Sequence, residues 1–436
     1  MIEWYVFLSV SLSVLLVLFL SGPPLFVSFL LVNLGTVLML LGERGLILVA
    51  NSIFDSANIA SLSAIPLFIL MGEILTRSGS VENLFRAMDG LIGRVPGRQY
   101  VLTVAISVIF GALSGAAMAV AAMLGRSLYP TMIDRGYDRG LSIGTILAGA
   151  SLAPIIPPSV LIVVIATLAD VSVGRLLIAG VGPGLVAAVL ILLYIALRVS
   201  RREKSAPEVP DTARRGWREI VRSIGLLLPF SIIIFAVMGL ILLGVATPSE
   251  AAASGVLGSV LVAAIYGRFS LRMIRESVSS AMLITAMIMV IVASSNLFGQ
   301  MLGLTGATRG LIDWGGALAD NPCVLLTLLL AIVFVLCMFI DQIALMLILV
   351  PIYKPLVEAA GFDPIWFWLL VLLNLSVGGI TPPFGYTMFA FKATAPEIGL
   401  GPIYRAAWPF VGVFIVLMAV VVAVPGIATW LPTAMN

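Results

Sequence analysis

The chain consists almost entirely of apolar runs. They fall at about 4–20, 24–41, 61–76, 100–125, 141–169, 176–198, 223–245, 250–266, 279–303, 323–350, 366–395 and 408–430, and the only strongly polar stretch is 198–222. A bilayer-crossing helix needs roughly 20 apolar residues. Of the 436 residues, 10% are charged and 61% hydrophobic, against about 25% and 45–50% in soluble domains. A water-soluble globule is excluded for want of polar surface, and a disordered chain by the opposite imbalance. The expected fold class is an all-α polytopic membrane protein. Residues 1–20 are apolar, and the first basic residue is Arg44. This segment lacks the basic start of a signal peptide and reads as a retained first helix.

Three runs contain residues that a plain spanning helix avoids. These are Phe110-Gly-Ala-Leu-Ser114-Gly115, Ser151-Leu-Ala-Pro154-Ile-Ile-Pro157-Pro158-Ser159, and Gly378-Gly379-Ile380-Thr381-Pro382-Pro383. Paired prolines remove backbone donors and break a helix. At membrane depth such breaks survive only inside protein or beside a water-filled cavity. Shifting the sequence by 225 residues lays Pro130 on Pro355, Gly136-Tyr137-Asp138 on Gly361-Phe362-Asp363, and Ser151 on Ser376. The same shift, with no gap, lays Ile155, Pro157 and Pro158 on Ile380, Pro382 and Pro383. The chain therefore reads as a first repeat at 1–197, a linker at 198–222 and a second repeat at 223–436.

The charges orient these repeats. The linker carries Arg198, Arg201, Arg202, Lys204, Arg214, Arg215, Arg218 and Arg222, so it is cytoplasmic by the positive-inside rule. Let 100–125 and 323–350 be re-entrant hairpins. Of the 24 basic residues, only Arg44, Arg175, Arg309 and Lys354 then fall outside. The two repeats come out inverted. Inverted repeats with broken helices mark secondary transporters, whose sites lie near the midplane.

Candidate site residues follow from the breaks. Gly149, Ser151, Pro157, Pro158 and Ser159 surround the first; Asn374, Ser376, Gly378, Thr381 and Pro383 surround the second. A cut helix frees carbonyls at one end, which with hydroxyl and amide oxygens suit Na⁺, and N–H groups at the other, which suit a carboxylate. A bare proline kink is the plainer alternative. The hairpin tips add Ser114-Gly115-Ala116 and Asp341-Gln342. An intramembrane carboxylate is a functional candidate by default, so Asp341 is placed near the ion; the alternative is a structural bond to backbone N–H groups at the turn. Thr247-Pro-Ser-Glu250 reads as a capping box. Glu73 reads as a partner of Arg77, and Lys392 as snorkelling. Segment 80–98 reads as an interfacial amphipathic arm. Trp366, Trp368, Trp408 and Trp430 read as interface anchors.

Other chemistries lack their residues. There is no histidine, which removes imidazole-based metal sites and catalytic triads. Cys323 and Cys337, the only cysteines, read as small core residues. No Gly-rich GK[ST] loop is present for ATP, and no basic–aromatic tract for nucleic acid. An enzyme would need a convergent acid, base or nucleophile set, and a channel a ring of equivalent residues.

Phe110-Gly-Ala-Leu-Ser114-Gly115, Arg135-Gly136-Tyr137-Asp138, Ile155-Ile156-Pro157-Pro158-Ser159, Ile340-Asp341, Leu373-Asn374-Leu375 and Ile380-Thr381-Pro382-Pro383-Phe384-Gly385, in this order, resemble the large membrane subunit of the tripartite ATP-independent periplasmic (TRAP) transporters. The resemblance runs from the first helix to Pro432. It implies an elevator-type secondary transporter of the bacterial inner membrane, with two inverted hairpin repeats like those of the ion transporter superfamily. It implies Na⁺-driven uptake of an organic acid, typically a carboxylate, and two partners: a small four-helix membrane subunit and a soluble periplasmic substrate-binding protein. It implies substrate contacts at Ser114, Gly115, Pro158, Ser159, Thr381 and Pro383. For Na⁺ it implies Ser114, Gly149, Ser151, Pro157, Asp341, Asn374, Ser376, Gly378 and Thr381. Two departures weaken side-chain ligation by the tips: Ala116-Ala117 stands where the family commonly has two serines, and Asp341-Gln342 where it has Asp-Pro. The alternative is a stand-alone ion-coupled carboxylate transporter that needs no binding protein.

The inversion is testable at paired positions. In a cysteine-free background, Asp134→Cys should react with a membrane-impermeant maleimide only from the cytoplasmic side. Its equivalent, Ala359→Cys, should react only from the periplasmic side; labelling of both from one side would overturn the inversion.

Overall fold

The computed structural model describes residues 3–93, 95–201, 217–316 and 321–435. Arg94 and most of the expected linker, from 202 to 216, lie outside the described residues. Among the described residues all regular structure is helical, and nine helices are long and apolar enough to cross a membrane. Arg98–Ser114, Pro322–Cys337 and Pro364–Gly378 are apolar but shorter. The first two each turn back at once into a second helix, Ala117–Ser127 and Gln342–Ala359. These are the two hairpins.

The 225-residue shift is carried into the fold. Asp138 caps helix Arg139–Ala150 by accepting from the Leu141 N–H at 2.7 Å. Asp363 caps Pro364–Gly378 by accepting from the Trp366 N–H at 2.9 Å. The preceding turns place Gly136 at φ 78° and Gly361 at φ 67°, a region where a Cβ is penalised. Ser151 and Ser376 donate to the carbonyls of Leu147 and Leu372, at 3.2 and 2.8 Å. Both proline pairs, Pro157-Pro158 and Pro382-Pro383, are cis. Beyond them the chain resumes as Val160–Leu168 and Tyr386–Thr394.

The broken helices form the centre. Every residue from Leu141 to Ala150 and from Trp366 to Gly378 is buried. A helix that is apolar all round belongs where no side meets water. Hairpin helices Arg98–Ser114 and Ala117–Ser127 pack on the first; Pro322–Cys337 and Gln342–Ala359 pack on the second. The second halves cross over. Val160–Leu168 packs on the second hairpin, and Tyr386–Thr394 on the first.

Around this centre, Ala64–Arg77 packs on Pro248–Ile265 and on the long helix Leu271–Leu304. Leu25–Leu41 and Leu46–Ala57 are stitched to that long helix by polar groups. Asn33 donates to the Ser294 carbonyl at 2.7 Å and Ser52 to that of Ala293 at 3.1 Å. Thr247 and Glu250 form the expected capping box. Arg77 holds Glu73 at 2.7 Å. The Lys392 ammonium donates to the Pro396 and Ile398 carbonyls just past the end of its helix.

Three expectations are corrected. Trp366 and Trp368 are buried, not interfacial, because their helix is enclosed by both second-hairpin helices and by Leu400–Ala423; the Trp366 indole donates to the Val421 carbonyl at 3.0 Å. Trp408 and Trp430 are exposed. The amphipathic segment forms helix Val81–Leu91, and it buries Val81, Leu84, Ala87 and Met88, packing against Trp217–Leu242 instead of offering that face outward. A Cβ on Gly90 would run into the Ser223 hydroxyl. Cys337 is buried, but Cys323, at the start of its helix, is exposed.

Because the two Asp caps are equivalent, each should matter alike. Asp138→Ala and Asp363→Ala should each cost about 1 kcal/mol, read as matched falls in the detergent unfolding midpoint. No fall in either would remove the caps from the account of the repeat.

Candidate functional site

Each hairpin tip is seated on one break. In the first repeat the seat is made of small residues. Gly115, at φ 62°, ends helix Arg98–Ser114. A Cβ placed there would lie 3.5 Å from the Val160 nitrogen and 3.6 Å from the Pro158 carbonyl oxygen. One turn back, a Cβ on Gly111 would lie 3.0 Å from the Ala153 Cα. A Cβ on Gly149 would strike the Ser107 hydroxyl. Gly115 thus meets Pro158 and Ser159, while Gly149 lies against Ser107, about two turns back from Ser114. Residues 151–159 are all buried.

The second seat is made by hydrogen bonds. The Phe384 N–H donates to the Met338 carbonyl at 3.2 Å. The Tyr386 hydroxyl donates to Gln342 Oε1 at 2.6 Å. Pro383 has no N–H for the Gly379 carbonyl that a continuous helix would pair with it. The Thr387 N–H takes its place at 3.0 Å. A Cβ on Gly378 would overlap Cys337, with Sγ at 2.9 Å. Asn374 donates its amide to the Leu330 carbonyl at 2.7 Å. Pro383 is exposed, and its carbonyl accepts from the Tyr404 hydroxyl at 2.7 Å. Asp341 is half-buried and accepts from the Ile343 N–H at 2.9 Å, capping helix Gln342–Ala359. One oxygen of Asp341 thus caps the turn, and a carboxylate keeps further lone pairs beyond that bond.

Both seats hold buried oxygens with no hydrogen-bond partner: Ser114 and Ser159 Oγ at the first, Asn374 Oδ1 and Thr387 Oγ1 at the second. Ser151, Ser376 and Thr381 donate their hydroxyl protons to carbonyls one turn back. Their remaining lone pairs can only accept a proton or bind a cation. Thr387 was not a sequence candidate; its signal is its place in the first turn after the second break. Gly72 was also missed. A Cβ there would lie 3.1 Å from the Leu113 carbonyl oxygen and 3.2 Å from the Ser114 Cα, so helix Ala64–Arg77 touches the backbone of the first tip. In the other repeat, Ser295 of the long helix donates to the Leu347 carbonyl of the second hairpin at 2.8 Å.

Residues 12–427 match the family model described as the tripartite ATP-independent periplasmic transporter, DctM component. The chain belongs to this family. It is 32% identical to the ectoine TRAP transporter large permease protein TeaC of Halomonas elongata, across 85% of this chain and 86% of that one. It is 30% identical to the C4-dicarboxylate TRAP transporter large permease protein DctM of Pseudomonas aeruginosa, across 88% of each. A sialic acid TRAP large permease, SiaM of Vibrio cholerae, is 28% identical across 94% of this chain and 95% of its own length. The crystal structure of the Alcanivorax borkumensis YdaH transporter shares the fold, with a TM-score of 0.63 at 16% identity over 96% of this chain and 98% of that one. The chain is a TRAP transporter large permease component, a multi-pass protein of the bacterial inner membrane.

The overlap at Gly378 gives a direct test of the second seat. Gly378→Ala should push Cys337 and its tip away. Maleimide labelling of Cys337, buried in the parent, should then quicken by tenfold or more. An unchanged rate would show that the tip is not seated through this contact.

Proposed function

We propose that this permease takes up an organic acid by Na⁺-coupled secondary transport, with the two hairpins and two broken helices moving as an elevator core. A periplasmic binding protein delivers the substrate, and a small membrane subunit completes the assembly. The observation that supports this most is the four buried, unpartnered oxygens at the two seats. A buried polar atom without a partner costs about 1–3 kcal/mol, a cost that a bound cation removes. The first seat offers Ser114 and Ser159 with Ser151 nearby; the second offers Asn374, Thr387, Ser376 and Thr381.

The substrate carboxylate meets the N-terminal ends of Val160–Leu168 and Tyr386–Thr394, where helix N–H groups face the breaks. The substrates named for the relatives, ectoine, C4-dicarboxylates and sialic acid, all carry a carboxylate. Na⁺ binding organises the breaks, and substrate then binds between tip and break. Because each tip is tied to its own break, hairpin and broken helix travel together. Ala64–Arg77 and the long helix Leu271–Leu304 are the stationary side, which meets the first tip at Gly72 and the second hairpin at Ser295.

The test is uptake of candidate organic acids into proteoliposomes containing this chain and its small partner, with and without an inward Na⁺ gradient and the binding protein. Accumulation should require both. Uptake without the binding protein would favour a stand-alone transporter, and flux indifferent to Na⁺ would overturn the ion sites. Asn374→Ala should raise the Na⁺ needed for half-maximal uptake about tenfold, since a bond to a charged partner is worth about 1.5–3 kcal/mol.

A further inference from the structure

On the long helix Leu271–Leu304, residues 276, 279, 280, 283, 287 and 290 follow one another at steps of one, three and four, so they share a face. That face has a polar end and an apolar end, and a hollow lies at each.

The polar hollow has a volume of about 380 Å³ and is lined by Arg77, Arg275, Glu276, Ser279, Ser280 and Leu283, among others. Its charges do not cancel. Arg77 is held by Glu73 at 2.7 Å and by Glu276 at 3.6 Å, and Arg272 holds Glu276 at 2.8 Å. Two arginines thereby balance two glutamates. Arg275 has no ion pair among the described residues and remains as the surplus positive charge. The Ser279 and Ser280 hydroxyls likewise have no hydrogen-bond partner among those residues. The hollow lies at the end of the helix that the basic residues assign to the cytoplasmic side.

Beyond it the face turns apolar but stays open: Leu283 is 66% exposed, Met287 41% and Val290 36%. It leads to a second hollow of about 270 Å³, walled by Leu30, Val49, Ile53, Met289, Val290 and Leu297, among others. From Ser280 to Val290 the helix rises about 15 Å. That is one leaflet, half of the roughly 30 Å hydrocarbon core.

We infer that this face binds one anionic phospholipid of the inner leaflet, its phosphate at Arg275 with Ser279 and Ser280, and an acyl chain along Leu283 and Met287 into the hollow beside Val290. The surplus cation and free hydroxyls select an anionic headgroup. The leaflet-length spacing selects a ligand that carries a tail, not a free phosphate. The lipid lies against the helix that the transport reading makes the stationary side, but its binding does not depend on that reading.

The test is native mass spectrometry of the delipidated full chain in detergent, titrated with phosphatidylglycerol, phosphatidylethanolamine or glycerol phosphate. Phosphatidylglycerol should bind most tightly and glycerol phosphate not detectably. Arg275→Gln should weaken phosphatidylglycerol about fivefold, the effect of one cation at a membrane surface, and weaken phosphatidylethanolamine less, because its ammonium offsets the charge of the shared phosphate. Val290→Trp, which fills the apolar hollow, should weaken both lipids while leaving the arginine end intact. Equal affinity of parent and Arg275→Gln for phosphatidylglycerol would overturn the proposal. So would binding of glycerol phosphate as tight as the lipid's, or displacement of the lipid by the small membrane subunit with cross-links from Leu283→Cys. Because lipid retention is read without any transport assay, failure here and failure of the Na⁺-coupled reading are separable.

Discussion

The fold depends on what happens to the backbone groups opened by two proline pairs. Pro157-Pro158 and Pro382-Pro383 follow two deeply buried helices, Arg139–Ala150 and Pro364–Gly378. In an apolar interior a freed carbonyl or N–H has no water to turn to. Something must approach closely enough to cover the break, and a side-chain-bearing helix crossing it at the usual 8–10 Å would not reach. A helix end can. Each hairpin supplies one, which explains why those helices stop short at Ser114 and Cys337 instead of spanning.

That need for close approach sets the chemistry of the neighbours. The first tip reaches its break through Gly111, where a Cβ would crowd the Ala153 backbone, and through Gly115, whose φ of 62° disfavours a side chain. The second reaches its break through a backbone bond from Phe384 to Met338 and a side-chain bond from Tyr386 to Gln342. A tip bound so tightly to its break is one body with it. The outer helices meet this unit at a bare glycine, Gly72, beside the first tip and at Ser295, which bonds the Leu347 carbonyl within the second hairpin.

Much of this was legible in the sequence. Paired prolines inside apolar runs announce broken helices, and their 225-residue spacing, with Asp138 and Asp363 in step, announces that the break is built twice. These features are local, so the letters carry them. What stayed hidden was pairwise. Nothing in Gly72 says that it faces the Ser114 backbone, and nothing in Gln342 says that Tyr386 lies 44 residues on within bonding distance. Trp366 and Trp368 resembled interface anchors because hydropathy does not distinguish lipid from protein. Only the enclosure of their helix by both second-hairpin helices does. Asp341 drew attention as a rare intramembrane charge, while its partner, the Ile343 N–H, is a backbone group that no sequence displays.

The repeat is kept in the backbone and broken in the side chains. At the first seat the tip carries no formal charge, Ala116 stands where its twin has Asp341, and residues 151–159 are wholly enclosed. At the second, a carboxylate caps the tip, and Pro383 and Phe384 are exposed beside the break. A two-fold fold with identical seats would hold both in the same state at once. The unequal seats share the same caps, cis prolines and glycine turns. Pseudo-symmetry of this kind gives two chemically different seats at little extra cost in sequence, because the backbone devices are shared and only a few side chains at the tips differ.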